Sequence, residues 1–197
     1  MAHPSAQPRP VGPGLPPVCG QQARVLILGS FPSPKSRAQG FYYGHPQNRF
    51  WPLLASLLGA PVPDWQDLDA KRALVIDHGL AVWDVVCRCT ITGASDASIR
   101  DVVPNAVPEL AARLGVQAIF CNGGTAAKLY HRPCRGDAAL HQSRQRRLDP
   151  AAAAPGLGRG AGPLAGWTKI IQNFLLTFEG IRHFERFSNC KPGHDAI

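Results

Sequence analysis

The chain has 197 residues, 45 % of them hydrophobic, which suits one domain with a sizeable core and excludes a disordered chain. With 17 % charged residues, 20 glycines and 19 prolines it fits a loop-rich α/β protein, and collagen, coiled coil and mini-protein scaffolds are excluded. No run of about 18 apolar residues occurs and the N-terminus lacks an apolar stretch of signal-peptide length, so a cytoplasmic protein without a membrane partner is expected.

The net charge of +8 hints at a polyanionic partner, but its distribution weakens the hint. Residues 1–130 hold 11 Lys and Arg against 8 Asp and Glu, whereas residues 131–197 hold 10 against 5, so the excess sits mainly in the C-terminal third. The six cysteines, Cys19, Cys87, Cys89, Cys121, Cys134 and Cys190, include no C-x-x-C pair. No metal and no cofactor are therefore expected, and EDTA should leave activity unchanged; loss on chelation, restored by a divalent ion, would contradict this.

Residues 1–22 carry six prolines and no hydrophobic period, which predicts a disordered leader ahead of a domain over 23–131. Arg24 to Leu28 is a short apolar run stopped by Gly29, as in a buried parallel strand. After a long loop, Asn48 to Leu58 has helical apolar spacing, with Asn48 as N-cap and Gly59 as stop. A second helix is predicted over Asp67–His78 and a second strand over Leu80–Val86. A polar loop through Thr92–Ser95 then leads to short helices near Asp96–Asp101 and Val107–Leu114. Val116–Cys121 is a third strand, and Asn122-Gly123-Gly124 turns into a helix from Thr125 to Tyr130. Alternating strands and helices predict a parallel sheet covered on both faces, with chemistry at the strand C-terminal ends.

The first of those ends, Gly29-Ser30-Phe31-Pro32-Ser33-Pro34-Lys35-Ser36, is one residue from the phosphate-cradling G-x-x-x-x-G-K-[ST]. Pro34 replaces the second glycine. It has no N–H for a phosphate and cannot adopt positive φ, which argues against a nucleotide-binding protein. The next segment, Gly40-Phe41-Tyr42-Tyr43-Gly44-His45-Pro46-Gln47-Asn48-Arg49-Phe50-Trp51, gathers aromatics, amides, an imidazole and a guanidinium. Such a set suits a nucleobase, because aromatic faces stack it while amides address its edge. Phe50 and Trp51 fall on the core side of the helix by spacing; Tyr43, His45 and Asn48 precede or cap it and are open to either role.

These two segments together resemble the DNA-deoxyinosine (hypoxanthine-DNA) glycosylases of the uracil-DNA glycosylase superfamily. More distantly they are similar to the mismatch-specific uracil glycosylases, which share a His-Pro-x-Asn-Arg-Phe-Trp stretch. Leu80–Val85, Ile99–Asn105 and Asn122–Ala126 are further family-like segments, and the resemblance runs from about Gly14 to His131. It implies a three-layer α/β/α sandwich with a central parallel sheet of about four strands. It also implies a cofactor-free, monofunctional enzyme that flips a deaminated base, hypoxanthine or uracil, out of DNA and hydrolyses its N-glycosidic bond. A monomer is expected.

The resemblance also implies site residues. In the commoner glycosylases of the superfamily an Asn or Asp stands where this chain has Phe31, which can neither orient nor activate water. The family resembled here uses instead the Asn of its His-Pro-x-Asn-Arg-Phe-Trp stretch, which falls on Asn48; helix capping is a compatible second role. Tyr43 corresponds to the aromatic that stacks on the extruded base. His45 would donate to a purine oxygen or brace the loop, and backbone N–H groups around Ser30 and Phe31 would face the base. Asp84, ending the second strand, falls where relatives place a base-reading side chain, with capping of the following loop as the competing role. Ser33 and Lys35, with Ser30, would meet DNA phosphates.

After His131 the pattern dissolves into an Arg, Ala, Gly and Pro-rich stretch, and 132–197 is an atypical tail. The resembled family carries near its C-terminus a DNA-gripping Leu-Pro-Ser-Thr-Ser-Pro-Ala-Asn, which is absent here. Ala138 to Gln145 can be encoded GCT GCC CTC CAC CAG TCC CGC CAA. One nucleotide later this gives CTG CCC TCC ACC AGT CCC GCC AA, or Leu-Pro-Ser-Thr-Ser-Pro-Ala and the start of Asn. The tail is therefore expected to be out of frame from between His131 and Asp137, leaving the C-terminal strand and helix missing and a sheet edge uncovered. A chain so altered would be an impaired DNA-binding or incompletely folded homologue.

Overall fold

A computed structural model of the chain describes residues 7–131 and the strand 181–186. Among the described residues, eight strands and five α-helices follow in the order β1 (Arg9–Val11), β2 (Val18–Cys19), β3 (Val25–Gly29), α1 (Pro34–Gln39), α2 (Phe50–Leu58), α3 (Leu68–Asp77), β4 (Leu80–Asp84), β5 (Val86–Ile91), β6 (Arg100–Pro104), α4 (Val107–Leu114), β7 (Ala118–Asn122), α5 (Gly124–Tyr130) and β8 (Ile181–Arg186). A 3-10 turn, Asp96–Ser98, stands between β5 and β6.

The main sheet has the order β2-β4-β3-β7-β8. Its centre, β4-β3-β7, is parallel, and β3 is buried throughout, as its unbroken apolar run predicts. Strand alternation divides the core in two. Leu26, Leu28, Ala81 and Ile119 pack with Val107, Leu110 and Ala111 of α4 and Ala126 of α5. Val25, Ile27, Val82 and Phe120 pack with Phe50, Trp51 and Leu54 of α2 and Val75 of α3. Helices therefore cover both faces, and the α/β/α sandwich stands. Each such aliphatic side chain stabilises the fold by about 1.5–3 kcal/mol relative to leaving it in water.

Four expectations are corrected. The sheet has five strands rather than about four, with β2 and β8 antiparallel to their neighbours. The stretch before residue 23 is structured from residue 7: β1 pairs with β5 and β2 with β4. Proline excludes a helix and a central strand, but Pro10 lies on an edge strand, where a missing N–H is tolerated. The carbonyl of Leu15 further pins this segment by accepting from Tyr42 Oη at 2.9 Å and Trp83 Nε1 at 3.1 Å. The polar stretch after β4 contains β5 and β6, which with β1 form a second, antiparallel sheet; β6 covers part of the expected helix near Asp96–Asp101. Lastly, the β7 edge is not uncovered, because β8 pairs with it. Ile181-Arg182-His183-Phe184-Glu185-Arg186 has its two apolar residues three apart, so no period-two signal marks it as a strand. The rest of the tail, including Ala138–Gln145, lies outside the described residues.

The long loop after β3 also contains a helix. Ser33 caps α1 by accepting from Ser36 N at 3.2 Å, Pro34 occupies its first turn, and Gly40 closes it at φ 73°.

Candidate active site

The parallel register sets Gly29 beside Asp84 at one end of the sheet, and Asn122 ends β7 at that same end. Gly29 is required there by close approach. A Cβ would collide with Asp84 Oδ1 and lie 3.4 Å from the Tyr43 hydroxyl. The chain leaving β3 is tied to the chain leaving β4, with Val85 N donating to Gly29 O at 2.9 Å and Val86 N to Ser30 O at 3.0 Å.

Asp84 is 4 % exposed, and its Oδ2 is buried without a hydrogen-bond partner among the described residues. Its side chain is therefore not spent on capping the next loop; the tie to that loop is Asn105 Nδ2 donating to the Asp84 carbonyl at 2.9 Å. Burial, and then the charge of Asp96, push the Asp84 carboxyl up to about 7. Ser30, also buried, donates its hydroxyl to Asp96 Oδ2 at 2.7 Å.

Tyr43 sits at φ 52°, an unusual conformation for a bulky residue and the kind of local strain found at functional sites. Two contacts hold it: its ring stacks on Phe50 with centroids 3.8 Å apart, and its hydroxyl accepts from Asn122 Nδ2 at 2.9 Å. Burial, then Asp84, push the hydroxyls of Tyr42 and Tyr43 far up, so both stay neutral. Asn48 is half-buried, and its Oδ1 accepts from Phe50 N at 2.9 Å in an Asx turn. The predicted cap is corrected by one position: the N-cap of α2 is Arg49, which makes no side-chain capping bond. Its amide nitrogen makes no hydrogen bond among the described residues.

The sheet end thus brings Ser30, Tyr43 and Asp84 together, with Asn48 joined through Phe50. Phe31 turns its ring into the core, with the Arg37 guanidinium 5.4 Å from its centroid. His45 is exposed and accepts from Gln47 N at 3.1 Å, so in this state it braces its own loop. Ser33 is occupied as the α1 cap, and Lys35 is exposed on that helix. No group of three or more His, Cys, Asp or Glu that could hold a metal occurs among the described residues, and no described helix is long and apolar enough to cross a membrane.

Residues 16–172 match the family model of the uracil DNA glycosylase superfamily. The chain belongs to that superfamily. Two curated relatives are named hypoxanthine DNA glycosylase. The one from Methanosarcina barkeri is 37 % identical over 90 residues, covering 45 % of this chain and 55 % of the relative, so the chain spans little more than half of that protein. The other, from Methanosarcina acetivorans, is 30 % identical over 123 residues, covering 62 % of this chain and 77 % of the relative. The fold is similar to the solution NMR structure of a Methanosarcina acetivorans protein assigned provisionally as a uracil DNA glycosylase. The TM-score is 0.52 at 24 % identity, over 83 % of this chain and 96 % of that one.

Two residues of this superfamily member's site went unpredicted. Asp96 reaches Ser30 across 66 positions of sequence, a pairing that only the fold can make. Asn122 left a signal, since a polar residue ending an apolar strand before Gly-Gly points to a strand end open to a ligand.

Proposed function

We propose that this chain is a monofunctional DNA glycosylase that hydrolyses the N-glycosidic bond of deaminated bases in DNA, hypoxanthine first and uracil second. The observation that carries the reading is Asp84: a buried carboxyl with an unpartnered oxygen, at the strand end beside a strained, anchored tyrosine. A neutral carboxyl can donate to a ring carbonyl and accept from the adjacent ring N–H, and hypoxanthine and uracil both present that edge. The names of the two curated relatives support the same substrate class.

In this mechanism Tyr43 stacks on the flipped base. Asn48 positions water below C1′ through its amide. Water oxygen bonds to C1′ as the C1′–N bond breaks, and the electron pair leaves with the base as an anion that backbone N–H groups near Ser30 and Phe31 stabilise. The added water gives up a proton to solvent, and the base anion takes one up from solvent. The products are a free base and an abasic site. Ser33 and Lys35, at the outer side of the site, are assigned to DNA contacts, and His45 to the base carbonyl or to bracing its own loop, with a monomer acting alone.

Duplexes carrying one inosine or one uracil, incubated with the protein and then treated with alkali, should break at the lesion. Intact strands would reject the function. Tyr43→Ala should weaken capture of the base by roughly 1–3 kcal/mol, the worth of base stacking. Parental rate and affinity in that variant would show Tyr43 to be packing only. The proposed frame change in the tail is decided by sequencing the gene. A one-nucleotide-later frame that encodes Leu-Pro-Ser-Thr-Ser-Pro-Ala-Asn is expected, and its absence ends the idea.

A further inference from the structure

We propose that Asp96, on the 3-10 turn after β5, is a positioning residue for base excision, acting through its hydrogen bond to Ser30 and its placement beside Asp84. The inference rests on the glycosylase reading above. Ser30 is the first residue after β3, and its backbone belongs to the loop that faces the leaving base. Its hydroxyl, 8 % exposed as a residue, has one partner among the described residues, Asp96 Oδ2 at 2.7 Å. That bond joins the ends of two different sheets, because β3 lies in the parallel sheet and the 3-10 turn links β5 and β6 of the small one. The turn is itself fixed: Ser98 Oγ donates to Ser95 O at 2.7 Å and accepts from Thr92 N at 2.8 Å. Asp96 is therefore delivered to Ser30 by an anchored element.

The second link is electrostatic. The titratable groups facing Asp84 are the hydroxyls of Tyr42 and Tyr43, from the segment between α1 and α2, and the Asp96 carboxyl. The two tyrosines stay neutral, so the facing charge is that of Asp96. A negative charge beside a buried carboxyl favours its protonated form, the form able to donate to a base carbonyl. Asp96 would thus do two separable things: fix Ser30 by hydrogen bond, and keep Asp84 a donor by charge.

Two variants separate them. Asp96→Asn keeps an acceptor for Ser30 and removes the charge, whereas Ser30→Ala keeps the charge and removes the bond. Single-turnover release of hypoxanthine from an inosine duplex is measured from pH 5 to 9. In the parent the rate should fall as pH rises through about 7. In Asp96→Asn that limb should move to lower pH, and in Ser30→Ala the rate should drop about ten- to a hundredfold with the limb in place. A limb that stays put in Asp96→Asn, or a parental rate in Ser30→Ala, overturns the proposal. If the parent itself releases no base, the glycosylase reading fails, and carboxyl NMR titration of Asp84 in the DNA-free protein tests Asp96 independently. Its midpoint should fall in Asp96→Asn, and an unmoved midpoint overturns the inference.

Discussion

Asn48→Ala is expected to cut single-turnover base release by about a hundred- to a thousandfold while leaving oligonucleotide binding nearly intact. An amide that acts on the transition state contributes little to ground-state affinity, so the loss should appear in the rate. The structure adds a complication, because Asn48 Oδ1 also accepts from Phe50 N in the turn that leads into α2. Losing that hydrogen bond costs about 0.5–1.5 kcal/mol of stability, and Phe50 carries the stacked Tyr43. Asn48→Ser resolves the two roles, since a serine hydroxyl can accept from the Phe50 N–H in the same kind of turn but offers no amide to water. It should melt near the parent temperature and remain as slow as Asn48→Ala. A Ser variant that releases base at the parental rate would reduce Asn48 to a turn-forming residue.

The legible parts of this protein were those written in local pattern. The unbroken apolar runs of β3, β4 and β7, the helical spacing of α2 and the extent of α3 are short-range features, and the structure places them within a residue or two of expectation. The turn at Asn48 that opens α2 was legible for the same reason, although the cap position itself falls on Arg49. The small sheet was not: β5, with Val86-Cys87-Arg88-Cys89-Thr90-Ile91, mixes buried and exposed positions and shifts register against β6, so its period is broken. The N-terminal strands are three and two residues long and gain order from tertiary contacts such as the Leu15 carbonyl, not from their own composition. In the site, Tyr43 and Asp84 could be singled out because each stands beside a recognisable motif. What they do to one another could not. The burial of Asp84, the strain at Tyr43 and the Ser30–Asp96 bond all arise from segments that meet only in the folded chain.

That burial makes stability depend on pH in a direction opposite to the usual aspartate. In the folded protein Asp84 keeps its proton to about pH 7, whereas in the unfolded chain it loses it near the ordinary aspartate value of about 4. Between those limits the native state holds more protons, so stability contributed by this group falls as pH rises. Below the lower limit both states are protonated and nothing is lost; above the upper limit the loss is complete. Three pKa units correspond to about 4 kcal/mol at most, a large share of a small domain's stability. Asp84→Asn has the same shape, carries no charge and cannot titrate. Relative to the parent its urea midpoint should gain progressively from pH 4 to pH 7 and hold that advantage at pH 8. Its amide can still donate to a base carbonyl and accept from a ring N–H, so base release should persist above pH 7, where the parent slows. Parallel midpoint curves for parent and variant across this range would mean that Asp84 is ionised and solvated in the native protein, and its part in binding the base would fall with that.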